Sequence, residues 1–300
     1  MTETVKANEL VSITLDQLNK ALGQTLNSVV MTIRSPMYRG LDDAVRIEVE
    51  KIARQKLGRR KTLPKLSVML ETTGGSIEVV ERISNVFRKH FREVDFIVPG
   101  YAYSAGTVLV LSGDNIFMDY YSVLGPIDPQ VEDDSGRFVP GVGYLYKYEE
   151  LIAKSADPKQ TLTSAELIFL TKKFDPAFMY VIEQAKNHSE DLIEDWLPKY
   201  KFKNWKTTER RKLKVTPAYK KERAAKIAEV LGDASKWHSH GRGITMKELR
   251  GPKIKLQIED FGKDPNLNRQ IRQYYDLFID FGQRIGQQYA IHTENGMRTL

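Results

Sequence analysis

Three hundred residues at 34.4 kDa, 41% of them hydrophobic and 28% charged, with a formal charge of +7, describe a chain able to bury one large core or two modest ones. Zero cysteine excludes thiol nucleophiles, disulfides and every metal site built on thiolates, so a nucleophile here is a hydroxyl, carboxylate or amine. Met1 to Leu15 shows no basic stretch followed by an apolar one, which argues against a secretory leader and for a cytoplasmic protein.

Leu10, Ile13, Leu15, Leu18 and Leu22 predict an N-terminal helix, with Thr14 and Asp16 as candidate caps. Val29 to Arg34 reads as a strand, and Leu41 to Leu57 as an amphipathic helix carrying Val45, Ile47, Val49 and Ile52. A basic cluster, Arg59, Arg60, Lys61 and Lys65, leads into the most regular part of the chain. There the apolar run Leu66 to Leu70 closes on Thr73, Gly74 and Gly75. Ser76 caps a helix that lines Ile77, Val80, Ile83, Val86 and Phe87 along one face to about His90. Val94 to Val98, a short helix from Ala105 to Leu111 and the strand Asn115 to Met118 follow, and then a turn through Gly125, Pro126, Asp128 and Pro129. Strands alternating with helices predict an α/β domain with parallel strands, whose functional groups collect where strands feed helices.

Phe96 to Gly113 carries no charge over 18 residues, the length of a membrane span, but Pro99, Gly100, Gly106, Gly113 and five hydroxyl side chains are incompatible with one. The window is therefore read as deep core. Val131 to Tyr148, with Asp133, Asp134, Gly136, Pro140, Gly141 and Gly143, reads as a loop that could pass over a site. Thr163 to Leu197 predicts two helices broken at Asp175-Pro176, and Lys220 to Leu231 another, ended by Gly232. Ile271, Tyr275, Phe278, Phe281 and Ile285 form a final helical stripe, expected to serve packing or oligomerisation. The basic excess is local: between Lys199 and Lys226 stand twelve Lys or Arg against Glu209 and Glu222, interleaved with Phe202, Trp205 and Tyr219. No nucleic-acid motif accompanies segment 199–226, so a solvated face with inward aromatic anchors is the expectation, and nucleic acid stays open as a partner.

Three features of the α/β block carry chemistry. Gly74 and Gly75 end a buried strand, where paired glycines let backbone amides approach a ligand as an oxyanion hole requires, although a double glycine alone also marks a tight turn. Tyr103-Ser104-Ala105-Gly106 lies between a strand and a short helix. A hydroxyl there faces unpaired amides at the helix start, and small residues beyond it leave room for a carbonyl; a plain N-cap serine is the simpler alternative. Ser122 to Gln130 is a rigid turn that could line the same pocket with Gly125, Pro126 and Asp128.

Thr73-Gly74-Gly75, Pro99 to Thr107, Met118-Asp119 and Ser122-Val123-Leu124-Gly125-Pro126-Ile127-Asp128-Pro129-Gln130 together resemble the serine dehydrogenase proteinase family. That family belongs to the Clp-fold serine peptidases, beside signal peptide peptidase A and the Clp protease subunit. Ile227 to Leu231, Lys236-Trp237-His238 and Ile244-Thr245 are similar to a later segment of the family. The resemblance implies a Clp/crotonase-like spiral of ββα units with additional C-terminal helices. It divides the chain into an N-terminal segment 1–64, a peptidase domain 65–250 and a helical segment 251–300. It implies Ser104 as nucleophile, with oxyanion donors from Gly74, Gly75 and Ala105, and a pocket lined by Tyr103, Gly125, Pro126, Asp128 and His238.

In related Ser-Lys peptidases the base follows the serine by some forty residues; Lys147 lies 43 and Lys154 50 residues beyond Ser104. Lys154 is preferred because Leu151-Ile152-Ala153-Lys154 matches the family segment, with Lys147 in reserve. Such a base must be neutral, which demands burial or neighbouring positive charge. The substrate implied is a polypeptide, the assembly a ring-like homo-oligomer, and no cofactor or metal is expected. The chain departs from the family in showing no membrane-spanning segment, in Thr73 where a proline is common and in Tyr103 where a methionine is common. Two other readings stand beside this one. One is an esterase-type hydrolase using His238 or His240, which with Ser239 could alternatively hold a metal. The other is an inactive Clp-fold scaffold that binds a partner.

Overall fold

A computed structural model describes residues 6–58, 60–132, 136–208 and 212–300. Arg59, Asp133, Asp134 and Glu209, and the first five residues of the chain, lie outside the described residues. In chain order the elements are α1 (Ala7–Leu26), β1 (Val29–Arg34), α2 (Leu41–Lys56), β2 (Leu63–Glu71), α3 (Ile77–His90), β3 (Phe91–Ile97), β4 (Tyr101–Ala102), α4 (Ala105–Leu111), β5 (Asn115–Met118) and β6 (Val123–Leu124). Then come β7 (Gln130–Glu132), β8 (Phe138–Pro140), α5 (Val142–Ala156), α6 (Ser164–Lys173), α7 (Pro176–Lys199), α8 (Pro217–Gly232), α9 (Ala234–Trp237), β9 (Ile244–Thr245), α10 (Met246–Arg250), β10 (Glu259–Asp260), α11 (Pro265–Arg284), β11 (Ala290–Thr293) and β12 (Gly296–Thr299).

The α/β class expected from the sequence is the one observed. Seven strands form one sheet in the order β10-β5-β3-β2-β1-β11-β12, parallel from β10 to β1 and antiparallel through the C-terminal hairpin. Strand β1 from the first stretch of the chain and β11 from the last are therefore adjacent in the main sheet. Strand alternation sorts the side chains into two layers. Met31, Ile33, Leu66, Val68, Leu70, Val94 and Phe96 face α2, α3, α4, α7 and α8, while Val30, Met69 and Ile97 face α1 and α11. A smaller sheet, β4-β6-β9, stands beyond the C-terminal edge of the parallel strands, and β7-β8 is a separate hairpin.

Helix α3 shows why local reading succeeded: Ser76 Oγ accepts the Val79 amide, Glu78 sits in the first turn and Arg88, Lys89 and His90 in the last, while Val80, Ile83 and Phe87 are fully buried. The reading of Val131 to Tyr148 as loop is corrected: Gln130–Glu132 pairs with Phe138–Pro140, and α5 begins at Val142. Its glycines and prolines mark a hairpin and a helix start. In the basic segment Phe202 is buried, with Trp205 against it and Tyr219 against Trp205, and Lys203 pairs with Asp114. Among the described residues no helix is long and apolar enough to cross a membrane.

Thr14 and Asp16 are not caps, because both lie inside α1. Thr14 bonds back to the Leu10 carbonyl, and Asp16 accepts from His292 Nε2 at 3.0 Å. His292 and Tyr274 are wholly buried, and their hydrogen bonds form one chain. Thr32 Oγ1 and Asn19 Nδ2 donate to the Tyr274 hydroxyl, which lies 2.6 Å from His292 Nδ1. With both lone pairs of its oxygen engaged, Tyr274 donates to Nδ1, so the imidazole is neutral and carries its proton on Nε2 toward Asp16. Burial lowers the His292 pKa against the pull of Asp16. Because the unfolded chain binds this proton first, the contribution of His292 is present above its unfolded value, about 6.5, and is lost as pH falls below it. Urea unfolding of the wild type should lose stability between pH 7 and 5.5, with a slope approaching about 1.4 kcal/mol per pH unit for one proton. The slope should shrink in His292→Asn; equal slopes would refute this account of the network.

Candidate active site

Three loops leave the C-terminal ends of β2, β3 and β5 and meet at Ser104. Ser104 is the first residue before α4 and has φ of 53° and ψ of −123°, a conformation that costs an L-residue energy and persists only where its surroundings impose it. It is half-buried, and its side chain does not cap the helix. The plain N-cap alternative is thereby removed. Thr72 fixes the approach from below: its amide donates to the Tyr101 carbonyl at 3.2 Å and its carbonyl accepts the Tyr103 amide at 3.0 Å.

Gly74 is the tightest point. Its φ is 94°, and a Cβ placed there would lie 2.7 Å from Ser104 Cβ and 2.8 Å from the Tyr103 carbonyl oxygen. On the other side of the turn a Cβ at Gly125 would lie 2.5 Å from Tyr103 Cδ1 and 3.1 Å from the Ser104 amide nitrogen. Two glycines thus clamp the Tyr103-Ser104 backbone. Thr107, missed in the sequence, ties the third loop to α4: its buried Oγ1 lies 2.9 Å from the Ala102 and Gly125 carbonyls and accepts the Gly125 amide at 3.0 Å.

Of the three expected oxyanion donors, one is withdrawn. The Gly74 amide donates to Thr72 Oγ1 at 3.1 Å, so Gly74 serves close approach. The amides of Gly75 and Ala105 donate to no acceptor among the described residues. Tyr103 stacks on Tyr101 with ring centroids 5.1 Å apart, and Pro126 and Asp128 are buried. Burial, and after it Glu71, raises the Tyr101 pKa.

The lysines and histidines are distributed differently from the expectation. Lys154 Nζ bonds both oxygens of Glu166, at 2.8 and 2.9 Å, and chiefly through that bond holds the Glu166 carboxyl at about 2. A carboxylate partner is the opposite of the apolar or cationic surroundings that a lysine base requires. Lys147 pairs with Glu150 at 2.9 Å on an exposed face. No described contact joins either lysine to Ser104. His238 is an exposed C-cap with φ of 62°, which corrects its placement in the pocket lining. His240 instead bonds Asp128 through Nδ1 at 2.9 Å, and Asp128, 1% exposed, also accepts from Gln130 Nε2 at 2.7 Å. Strand register brings this pair to the end of the small sheet that carries Ser104. Ala102 pairs with Leu124 and Leu124 with Ile244, so Ser104, Asp128 and His240 all lie beyond the same rung. Tyr146 of α5 senses the same region, its pKa raised by burial first and then by Asp233, Glu149, Glu190 and Asp128.

A cleft of about 450 Å³ between α7 and α8, lined in part by Lys186, Glu190, Glu194 and Glu222, holds neither a hydroxyl nucleophile nor a histidine. No group of three or more His, Asp or Glu that could hold a metal exists among the described residues.

Residues 29–169 match the model of the ClpP-like SDH-type serine proteinases. The match takes in Gly74, Gly75, Ser104, the Asp128 turn and both lysines, and ends before His240. An uncharacterized protein of Methanocaldococcus jannaschii is 27% identical over 237 residues, covering 78% of this chain and 66% of the relative. A second uncharacterized protein of that organism is 25% identical over 227 residues, covering 76% and 60%. The chain therefore spans 60 to 66% of the length of these relatives.

Replacing Gly74 by Ala should displace the Ser104 turn and lower the rate of fluorophosphonate labelling at least about tenfold, equivalent to about 1.4 kcal/mol. Gly143→Ala, at a position where a Cβ meets nothing within 4 Å, serves as control and should stay at the wild-type rate. Labelling of Gly74→Ala at the control rate would show that the close approach is not needed.

Proposed function

We propose that the chain is a serine hydrolase of peptide bonds in which Ser104 is the nucleophile and His240, oriented by Asp128, is the base. The observation that carries the reading is Ser104 in its strained turn against Gly74, with the amides of Gly75 and Ala105 free beside it. The match of residues 29–169 to the ClpP-like SDH-type serine proteinase model supports a polypeptide as substrate.

In this reading Ser104 Oγ attacks the scissile carbonyl carbon while its proton passes to His240 Nε2, the ring nitrogen left open by the Nδ1 bond to Asp128. Negative charge on the tetrahedral oxygen is met by the amides of Gly75 and Ala105, dipoles already fixed before reaction. Collapse expels the amine with the proton from His240. Water, activated by the same imidazole, then releases the acyl group and restores Ser104. The Ser-Lys alternative with Lys154 requires the Glu166 pair to be broken first, which is why His240 is favoured. The finer architecture implied by the resemblance, a spiral of ββα units assembled as a ring, belongs to this same proposal.

Ser104→Ala should abolish fluorophosphonate labelling and casein cleavage together. His240→Ala should lower kcat by about 10² to 10⁴, the range for loss of a general base, while Lys154→Ala and Lys147→Ala remain near wild type. Full activity in His240→Ala with loss in Lys154→Ala would restore the lysine as base. Undiminished cleavage by Ser104→Ala would end the serine hydrolase reading.

A further inference from the structure

The three loops that meet at Ser104 begin at Glu71, Pro99 and Asp119, where the parallel ladder ends. All three roots are held by one face of α11. Arg272 Nη1 donates to the Pro99 carbonyl at 2.7 Å, and its Nη2 pairs with Asp119 Oδ2. Three residues on, and so on the same face of the helix, the Tyr275 hydroxyl donates to Glu71 Oε2. Arg34 Nε holds the other oxygen of Glu71 at 2.8 Å. Gly100, the residue before β4, is pressed against this contact: a Cβ there would lie 2.8 Å from the Tyr275 hydroxyl and 3.1 Å from Glu71 Oε2.

The second oxygen of Asp119 carries the restraint onward. It accepts the amides of Tyr121 and Ser122 at 2.9 and 3.1 Å and the Ser122 hydroxyl at 2.9 Å, which shapes the turn feeding β6 and the Gly125 clamp. Burial alone would raise the Asp119 pKa, but Arg272 and these donors lower it. Packing of α11 needs none of these polar groups: Ile271, Phe278 and Phe281 already seat it against α1 and the sheet. Asp119 and Glu71 are buried carboxylates, tolerated only because they are paired.

We infer that Arg272 and Tyr275 are positioning residues of the active site, fixing the three loops against one another through Pro99, Asp119 and Glu71 without touching substrate. This rests on the reading of Ser104 as nucleophile, because its effect on rate is the effect of misplacing that serine. A displacement near 1 Å costs about a hundredfold in rate.

The test uses the full chain with Tyr275→Phe, which removes one hydroxyl, and Arg272→Gln. The control is Arg284→Gln, which loses only the exposed pair with Asp280. Fluorophosphonate labelling rate, kcat and KM on a peptide, thermal midpoint and hydrogen exchange of residues 99–106 and 119–128 are measured. The expected result is labelling and kcat about tenfold to a hundredfold lower in both variants, with KM within about threefold, and faster exchange confined to those two segments. The control should match wild type. Arg272→Lys, which keeps charge but not the two-pronged geometry, should recover only part of the rate.

Wild-type rates and exchange in Tyr275→Phe would overturn the inference, as would exchange that rises equally across the whole sheet. A wild type that takes no label, with variants that still loosen both segments, would sink the serine reading and leave the latch standing. Labelling of wild type and variants alike would do the reverse.

Discussion

How closely the backbone of residue 74 approaches Ser104 governs everything else at this site. With a Cβ at Gly74 only 2.7 Å from Ser104 Cβ, no other residue type fits without moving one of the two loops. That contact requires the β2 and β3 loops to be crossed at van der Waals distance, and it is reached because Thr72 bonds the Tyr101-Tyr103 segment through both its amide and its carbonyl. The strain in the Ser104 backbone is maintained by this pressure from Gly74 on one side and Gly125 on the other. Among the described residues the Ser104 hydroxyl does not cap its helix, and the amides of Gly75 and Ala105 donate to no acceptor.

Energetically the site is an arrangement of buried polar groups supported by an ordinary apolar core. Asp119, Asp128 and Glu71 are each at most 6% exposed, and each carries two or more hydrogen-bond or ion-pair contacts. Breaking one partner of such a group leaves a charge in a low dielectric and is worth more than the pair itself contributes. The second core, with Tyr274, His292, Thr32 and Asn19, uses the same device for a different purpose. There the network joins α1, β1, α11 and β11 across the sheet from the loops around Ser104.

Much of the fold was legible because its signals are local. The Ser76 cap, the spacing of Val80, Ile83 and Phe87, and the uncharged run around Ser104 all report within a few residues of themselves. The Gly74-Gly75 pair and Ser104 were legible for the same reason. What escaped was set by pairing across long separations. His240 and Asp128 stand 112 residues apart, and only the antiparallel return of β9 onto β6 aligns them; nothing near His240 distinguishes it from His238. The partner of Lys154 has a nearer signal: Thr163 and Glu166 form a capping box, and the glutamate that closes it is the one that takes Lys154. Asp16 looked like a cap because its partner, His292, lies at the far end of the chain.

The order of strands in the main sheet also sets an order in time. A chain made from its N-terminus produces Pro99, at the root of the Ser104 turn, 173 residues before the Arg272 that holds its carbonyl. Arg272 and Tyr275, which hold the roots of its loops, and the β11-β12 hairpin that pairs with β1 are made only after that interval. A nascent chain therefore carries the Ser104 turn through a long stretch of synthesis without the helix that holds the roots of its loops.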